Sequence, residues 1–390
     1  MKQDWEIKRL GEVCIVIAGQ SPEGKYYNSE AKGLPFYQGK KEFGDKFIGE
    51  PKVWTSKITK EAKESDILMS VRAPVGPINY STQNICIGRG LAAIRATKLI
   101  DKEYLFNFLL KHENEIVGNT GAVFNSINKA QIEAIKIPLP PLEEQQQIVS
   151  ILDETFQAID QAKANAEQNL QNSKELFESS LQNIFSNGDK GWEEKKLKDI
   201  GKAQTGTTPK TAEKDNYGNF IPFIKPADVD FKSDGSIRYD NVGLTEKGLK
   251  STRLMPKNSI LMVCIGATIG KVGFVDRDVT SNQQINSFTV SKDFYPKFFY
   301  YALRSKNFYD SVIKSSAQAT LPIINKGKWE TLSLKFPKSL TEQQAIAKKL
   351  DILQVETKKL EAIYIKKIAD LEELKKSILH KAFARELKLK

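Results

Sequence analysis

The residues of this sequence best suited to chemistry are basic and amide side chains in short segments rich in Gly, Ser, Thr and Asn, such as QGKKEFGDK, IGRG and SNQQINS. Arg and Lys pair with guanine edges, Asn and Gln with adenine edges, and Lys, Ser and Thr with phosphate oxygens. The candidate nucleic-acid contacts are Lys25, Gln38, Lys40, Lys41, Arg72, Arg89 and Thr120 in the first half, and Thr207, Lys210, Lys225, Lys232, Arg253, Gln283, Gln284 and Gln318 in the second. A solvated loop position is the competing interpretation for any one of them. The hypothesis therefore depends on their recurrence at equivalent places in both halves.

Patterns typical of catalysis are weak. Only two histidines occur, His112 and His380, and both fall in predicted helices, which argues against a histidine-based metal site or catalytic triad. GATIGKV has three residues between its glycines and Val272 where a Walker A loop needs Ser or Thr. Asp228 and Asp230 in PADVDFK are too few ligands for a metal site. We predict no catalytic residue, metal or cofactor in this chain.

The candidate loops belong to two copies of one pattern. WEIKRLGEVCIVIAGQSP begins at Trp5 and returns as WEEKKLKDIGKAQTGTTP at Trp192, an offset of 187 residues, and ILMS at Ile67 returns as ILMV at Ile260. A repeat of nearly half the chain is too large for a solenoid unit. Two binding modules are therefore predicted, with a duplication containing one degenerate copy as the alternative.

The basic residues are concentrated in these modules. The chain of 390 residues has a net charge of +11, and Lys and Arg exceed Asp and Glu by 20 to 16 over residues 1–142, whereas acidic residues dominate 143–187 by 8 to 2. A basic balance favours a polyanionic partner, although it also fits a merely solvated surface. The three cysteines lie in apolar segments and are predicted to be buried thiols. With no apolar run near ~18 residues and charges throughout MKQDWEIKRL, we expect a cytoplasmic protein.

Two stretches without Gly or Pro, residues 143–187 and 341–390, are predicted to form long spacer helices, with Thr341 capping the second. Their apolar residues recur at spacings of three and four, which predicts a coiled-coil seam. The seam positions are Ile148, Leu152, Ile159 and Leu181 in the first helix, and Ile346, Leu350, Leu353, Leu360, Leu371 and Ile378 in the second. Because the first helix is acidic and the second basic, they suit one another as partners.

Chain geometry favours antiparallel pairing of these helices. The second module, residues 188–340, starts where the first helix ends and finishes where the second helix begins. Parallel helices of about 65 Å would separate those two points by far more than the ~15 Å radius of gyration of such a module. We therefore expect one module at each end of the helix pair, related by a pseudo-twofold axis, with the chain termini close together.

The modules, residues 1–142 and 188–340, are predicted to be α+β. CIVIA, DILMSV and LAAIRA in the first and SILMVCI, KVGFV and SFTVS in the second are short, apolar and bounded by turn residues, as strands are. LFNFLLKHENEIV and KFFYYALRSKNFYDSVI have helical spacing. The predicted fold class is α+β, with two globular domains joined by two long helices in an antiparallel coiled coil.

With these motifs in place, the whole chain resembles the specificity subunit of a type I restriction-modification enzyme, which has two target-recognition domains, each followed by a long helix. The resemblance lies in WEIKRLGEV and WEEKKLKDI, LPFYQG and IPFIKPADV, DILMS and SILMV, and IPLPPLEEQQQIVSILD and LKFPKSLTEQQAIAKKLD. One departure is that the first copy ends in SLQNIFSNG, so only the second has the fuller AFARELK ending.

The resemblance implies that each domain reads one half of a gapped double-stranded DNA sequence, and that the helices set the gap and dock two methyltransferase subunits. Restriction subunits would attach through those, and S-adenosylmethionine would belong to the methyltransferase partner. Two alternatives stay open: a coiled-coil scaffold without DNA readout, which predicts no salt-dependent DNA binding, and the DNA-reading subunit of another bipartite restriction system.

Overall fold

The computed structural model describes residues 5–113, 126–186, 191–230, 235–316 and 321–387. Three predicted contacts, Thr120, Lys232 and Gln318, lie outside these ranges. The chain forms two compact units: the first comprises Met1–Glu167 with Lys366–Lys390, and the second comprises Gln168–Ile365. Among the described residues, no helix combines the length and apolar character that a bilayer span requires.

The first unit contains a module of strands and short helices. Its strands are β1 (Glu6–Arg9), β2 (Cys14–Ala18), β3 (Tyr27–Asn28), β4 (Leu34–Tyr37), β5 (Trp54–Thr55), β6 (Glu61–Ala62), β7 (Ile67–Ser70), β8 (Ile78–Tyr80), β9 (Ile85–Ile87), β10 (Leu91–Ala96) and β11 (Lys136–Leu139). Its helices are α1 (Leu10–Val13), α2 (Lys102–Lys111) and α3 (Lys129–Glu133), followed by the long helix α4 (Leu142–Ser186). They form an antiparallel sheet in the order β2-β10-β7-β8, a mixed sheet β3-β5-β4-β9-β6 and the pair β1-β11.

The second unit repeats this plan. Its strands are β12 (Glu193–Lys196), β13 (Gly201–Thr205), β14 (Tyr217–Ile224), β15 (Gly243–Leu244), β16 (Ile260–Val263), β17 (Val272–Phe274), β18 (Thr280–Ser281), β19 (Ile285–Val290) and β20 (Ser333–Phe336). Its helices are α5 (Leu197–Ile200), α6 (Glu246–Lys250), α7 (Pro296–Arg304), α8 (Lys306–Ser315) and α9 (Lys326–Trp329), followed by the long helix α10 (Leu340–Phe383). The order β13-β19-β16-β17 and the pair β12-β20 correspond to β2-β10-β7-β8 and β1-β11. The predicted α+β class and internal repeat are confirmed.

The matching ILMS and ILMV segments are the central strands β7 and β16. Successive side chains on a strand point to opposite faces, and both faces of β7 are covered: Ile67 and Met69 join one hydrophobic core, whereas Leu68 joins another. In β16, Met262 likewise joins one hydrophobic core and Leu261 joins another. Continuous apolar sequence is therefore required here, because neither face meets water.

The two long helices are continuous, as predicted, and each contributes a part to each unit. Within the first unit they run antiparallel, because Asp160 pairs with Lys375 (2.8 Å) and the later Lys163 pairs with the earlier Glu372 (2.7 Å). All four side chains are substantially exposed, so these pairs add little stability.

Many of the predicted seam residues pack onto the modules. Ile148 and Leu152 join the core of the first unit, which Ile378 also contacts. Leu181 and Leu350 join the core of the second unit, and Ile346 and Leu353 pack against it. Ile159 is buried, Leu371 is half-buried and Leu360 is 38% exposed. The apolar stripes therefore also fasten the helix ends to the two modules.

One local prediction is wrong. Helix α10 begins at Leu340, one residue before the predicted cap Thr341, and the Ser339 hydroxyl accepts from the backbone amide of Glu342 (3.4 Å). The segment KFFYYALRSKNFYDSVI is helical, as its spacing indicates, but it is divided into two helices. Ser305 adopts an extended backbone, and its hydroxyl caps α8 by accepting from the amide of Phe308.

The EQQ motifs before the long helices serve packing. Gln145 is fully buried, and its side chain accepts from the Asp101 amide (2.7 Å) and donates to the Pro140 carbonyl (2.8 Å). Gln343 does the same with the Tyr295 amide and the Pro337 carbonyl, both at 2.9 Å. Each glutamine therefore ties the first turn of a long helix to the start of α2 or α7.

Candidate nucleic-acid interface

In the first module, three loops meet at the end of strand β4, and we call residues 19–22, 37–39 and 87–91 the first junction. Backbone hydrogen bonds join the loops, from Gly19 to Leu91 (2.9 Å), from Gly88 to Tyr37 (2.8 Å) and from Gly90 to Gln38 (3.0 Å). A Cβ atom on Gly19 would lie 2.1 Å from the Gly88 carbonyl oxygen. The glycines of GQSP and IGRG are therefore required by close backbone approach.

Three of the polar residues at the surface of this junction, Ser21, Gln38 and Arg89, are linked by hydrogen bonds. The Ser21 hydroxyl donates to Oε1 of Gln38 (2.8 Å) and accepts from the backbone amide of Arg89 (3.3 Å). The side chains of Gln38 and Arg89 are exposed. Burial raises the pKa of Tyr27, and the positive charge of nearby Arg89 partly offsets that rise. The junction therefore presents an oriented amide on one loop and an exposed arginine on the neighbouring loop.

The remaining predicted contacts of this module have different surroundings. Arg72 is exposed next to Val71, whose amide donates to the Gly90 carbonyl at the junction (3.0 Å). Lys40 is half-exposed and Lys41 is exposed. Burial raises the pKa of Glu113, and the positive charge of Lys40 partly offsets that rise. Lys25 is paired with Glu23 (2.7 Å) and lies over the Tyr26 ring. Arg72 thus follows a residue that is bonded to the first junction, whereas Lys25 has a carboxylate partner.

The second module builds the same backbone arrangement, and we call residues 206–209, 224–226 and 281–285 the second junction. Gly206 donates to Ile285 (2.9 Å), Thr207 to Ser281 (2.9 Å) and Asn282 to Ile224 (3.2 Å). The Thr208 hydroxyl donates to Oε1 of Gln283, whose side chain is exposed.

A buried carboxylate positions Lys225 at this junction. Asp228 is fully buried and accepts from the Lys225 backbone amide (3.0 Å), from the Arg238 guanidinium (2.9 Å) and from the Asn241 amide (3.0 Å). Asp228, one of the two carboxylates of PADVDFK, therefore fixes a loop. No group of three or more His, Cys, Asp or Glu side chains in the described ranges could hold a metal ion.

The other predicted contacts of the second module are held within it. Arg253 donates to the Thr205 carbonyl (2.7 Å), and Thr207 is half-exposed at the junction. Gln284 accepts from the Asn282 side chain (3.0 Å), and Lys210 lies 3.6 Å from Glu213 on an exposed surface. Gln283 and Lys225 are therefore the two side chains best placed to extend from this junction.

The repeat preserves the backbone of the junction and changes its side chains. By the matching hydrogen bonds, Ser21 is equivalent to Thr208, Gln38 to Lys225, and Arg89 to Gln283. Arg72 corresponds to the apolar Ile265, since Arg72 bridges to Ser126 as Ile265 bridges to Ile323. Sequence reasoning missed the two hydroxyls, although both precede a proline in the repeated QSP and TTP segments.

Comparisons with known proteins place this architecture in context. The family model "Type I restriction modification DNA specificity domain" matches residues 2–171 and 189–369. A putative type I restriction enzyme MjaX specificity subunit of Methanocaldococcus jannaschii is 46% identical over 155 residues, which are 38% of this chain and 36% of that relative. The alignment with the HindI specificity subunit of Haemophilus influenzae, at 28% identity, covers 48% of this chain and 38% of the relative. The MjaVIII specificity subunit, also from M. jannaschii, is 26% identical over all of this chain and 94% of its own length.

Solved structures show the same fold. A chain from a type I restriction-modification complex superimposes with a TM-score of 0.77 at 19% identity, over 99% of both chains. The HsdS subunit of Thermoanaerobacter tengcongensis superimposes with a TM-score of 0.66 at 19% identity, over 99% of this chain and 98% of that one. The tandem arrangement of module and long helix is therefore a shared architecture.

Proposed function

Because the chain belongs to the family of type I restriction modification DNA specificity domains, we propose that it is the subunit that reads a bipartite, gapped DNA target in a type I restriction-modification complex. The observation that carries the proposal is the pair of junctions: one backbone arrangement occurs twice, with different side chains exposed. Two modules that share a backbone arrangement but expose different side chains are suited to bind two half-sites of different sequence.

The exposed cations around the junctions suit a DNA backbone as well as base edges. Arg72 and Arg89 are exposed in the first module, and Lys225 is half-exposed in the second. Side chains that neutralise phosphates release counterions, so affinity should fall steeply with salt. Base edges in the major groove would then supply discrimination between sequences.

We further propose that the long helices dock two methyltransferase subunits, and that restriction subunits join through them. Ile352, Val355 and Ile363 on α10 are all more than half exposed. Apolar side chains clustered on an exposed helix favour a protein partner. This chain would itself be non-catalytic, and S-adenosylmethionine would bind to the methyltransferase subunit.

Modified-base sequencing of DNA tests the proposal. The chain is expressed in cells together with its candidate methyltransferase subunit, and each protein is expressed alone as a control. A new two-part adenine-methylated motif that requires both proteins is the expected result. Copurification of the two proteins without any such motif would instead favour a helical scaffold.

A further inference from the structure

We propose that Gln38 and Gln283 are the adenine-reading side chains of the two modules, each oriented by a hydroxyl group of its own junction. This inference rests on the proposed DNA-reading function and assigns a base to one residue in each half-site. It follows from a hydrogen bond that occurs in both modules although the glutamine lies on a different loop in each.

The hydroxyl group occupies the same backbone position in both modules. Ser21 donates to Oε1 of Gln38 in the first junction, at 2.8 Å, and Thr208 donates to Oε1 of Gln283 in the second. Gln38 follows strand β4, whereas Gln283 lies between β18 and β19. The repeat has therefore kept a hydroxyl-bound glutamine while moving it from one loop to the other.

This hydrogen bond leaves the glutamine able to pair with adenine. A carbonyl oxygen has two lone pairs, so Oε1 can accept from the hydroxyl and also from the N6 amino group of adenine. The Nε2 group can then donate to N7, which completes the two-bond contact typical of glutamine and adenine. Holding the amide in place beforehand lowers the entropy that must be lost on binding.

The neighbouring glutamine of the second junction is less suited to this role. The Oε1 of Gln284 accepts from the Asn282 side chain (3.0 Å), its backbone amide donates to Asn282 Oδ1 (3.1 Å), and the residue is only half-exposed. These contacts hold Gln284 within its own loop. Gln283, beside it, is exposed and bound to Thr208.

In each module, a cation occupies the position that the glutamine has in the other module. Arg89 is equivalent to Gln283, and Lys225 is equivalent to Gln38. At these three equivalent positions, each junction therefore has one hydroxyl, one amide and one cation, with the amide and the cation exchanged between the two loops. A cation beside an adenine-reading amide can bind a guanine edge or a phosphate, so the two half-sites should present adenine and its neighbour in opposite order relative to the module.

The test is a selection from a randomised DNA duplex library by the chain copurified with its methyltransferase subunit, without S-adenosylmethionine. Gln38→Glu and Gln283→Glu keep the side-chain shape but remove the donor, and a carboxylate prefers the N4 amino group of cytosine. Each variant should lose adenine preference at one position of its own half-site, by roughly 5- to 150-fold, the equivalent of ~1 to 3 kcal/mol per two-bond contact. The other half-site should be unchanged.

The exposed Gln83, which lies in the first module between β8 and β9, provides a matched control: Gln83→Glu should leave the motif unaltered. Ser21→Ala and Thr208→Val provide a second measurement, since removing the hydroxyl should weaken adenine discrimination several-fold without creating a new preference.

The outcomes separate this inference from the proposed function. A wild-type complex that selects no two-part motif contradicts the function itself. A two-part motif whose adenines are unaffected by Gln38→Glu and Gln283→Glu upholds the function and overturns the assignment of these residues.

Discussion

The guanidinium group of Arg385 lies over the indole ring of Trp5, 5.0 Å from its centre, and donates to the Trp5 carbonyl oxygen (3.2 Å). The indole nitrogen of Trp5 in turn donates to Glu144 at the start of α4 (3.1 Å). The beginning of the chain, the start of the first long helix and the segment after the second long helix therefore meet within the first unit. The AFARELK ending therefore has a structural role within the first unit.

Replacing Arg385 with Ala should lower the melting temperature, because it removes the contact with the buried indole ring of Trp5. The expected loss is about 1 kcal/mol, since Arg385 is exposed and cation–π contacts at such sites are worth about 0.5 to 1 kcal/mol. Thermal unfolding of the whole chain measures it. Lys381→Ala, at an exposed site in the last turn of α10, is the control and should change stability by less.

A second prediction concerns a polar pair that differs between the modules. Asp66, 3% exposed, accepts two hydrogen bonds from Arg95 (2.8 and 2.6 Å), whereas the equivalent residues Ser259 and Thr289 share a neutral hydroxyl contact of 2.9 Å. Arg95→Thr should destabilise the protein by about 2 to 3 kcal/mol, because it removes both guanidinium hydrogen bonds to a buried carboxylate. Chemical denaturation measures this change.

The double substitution Asp66→Ser with Arg95→Thr copies the pair of the second module and should recover most of the lost stability. A double variant no more stable than Arg95→Thr alone would show that the two sites are not interchangeable.

The buried amide Gln145 should be sensitive to replacement by Glu in a pH-dependent way. A protonated carboxyl group at this position can still donate to the Pro140 carbonyl, but an ionised one would place its negative charge against that oxygen. Burial raises the pKa of such a carboxyl above its unfolded value, so its destabilising effect is smallest below the unfolded pKa and grows as the pH rises through the folded pKa.

For Gln145→Glu we expect a loss of about 1 to 3 kcal/mol at neutral pH and a smaller one near pH 4, as measured by denaturation at both pH values. The matched control is Gln146→Glu, because Gln146 is exposed one position away. Equal effects of the two substitutions at both pH values would contradict the role of Gln145 as a buried hydrogen-bonding residue that joins α4 to the start of α2.

The last prediction concerns the spacing of the half-sites. If the long helices set the gap, seven residues inserted after Glu167 and after Ile365, where the two units divide each helix, should lengthen it. One heptad adds about 10.5 Å of helix, at most about three base pairs of 3.4 Å. The methylated motif measures the gap. An insertion in one helix alone should disrupt the pairing, and an unchanged gap in the double insertion would exclude the spacer role.

The repeat, the two long helices and the strands at the centre of each module could be predicted without a structure. These features depend on local patterns: spacings of three and four residues along α4 and α10, and continuous apolar runs in β7 and β16. Antiparallel pairing also followed from helix length and module size, and the pairs Asp160–Lys375 and Lys163–Glu372 confirm it within the first unit. Even so, the boundary at Ser305 was missed, because a serine that caps a helix and a serine within one look alike in a periodic pattern.

The polar residues that act together could not be identified before the fold was known. Ser21 and Gln38 are 17 positions apart, and Thr208 and Gln283 are 75 positions apart, so no local pattern links either pair. The candidate residues were predicted to recur at equivalent places in both halves. The repeat preserves the backbone hydrogen bonds at those places and exchanges the amide and the cation between loops. Backbone contacts tolerate changes of exposed side chains, and the identity of the reading residues is therefore fixed by which loops the fold brings together.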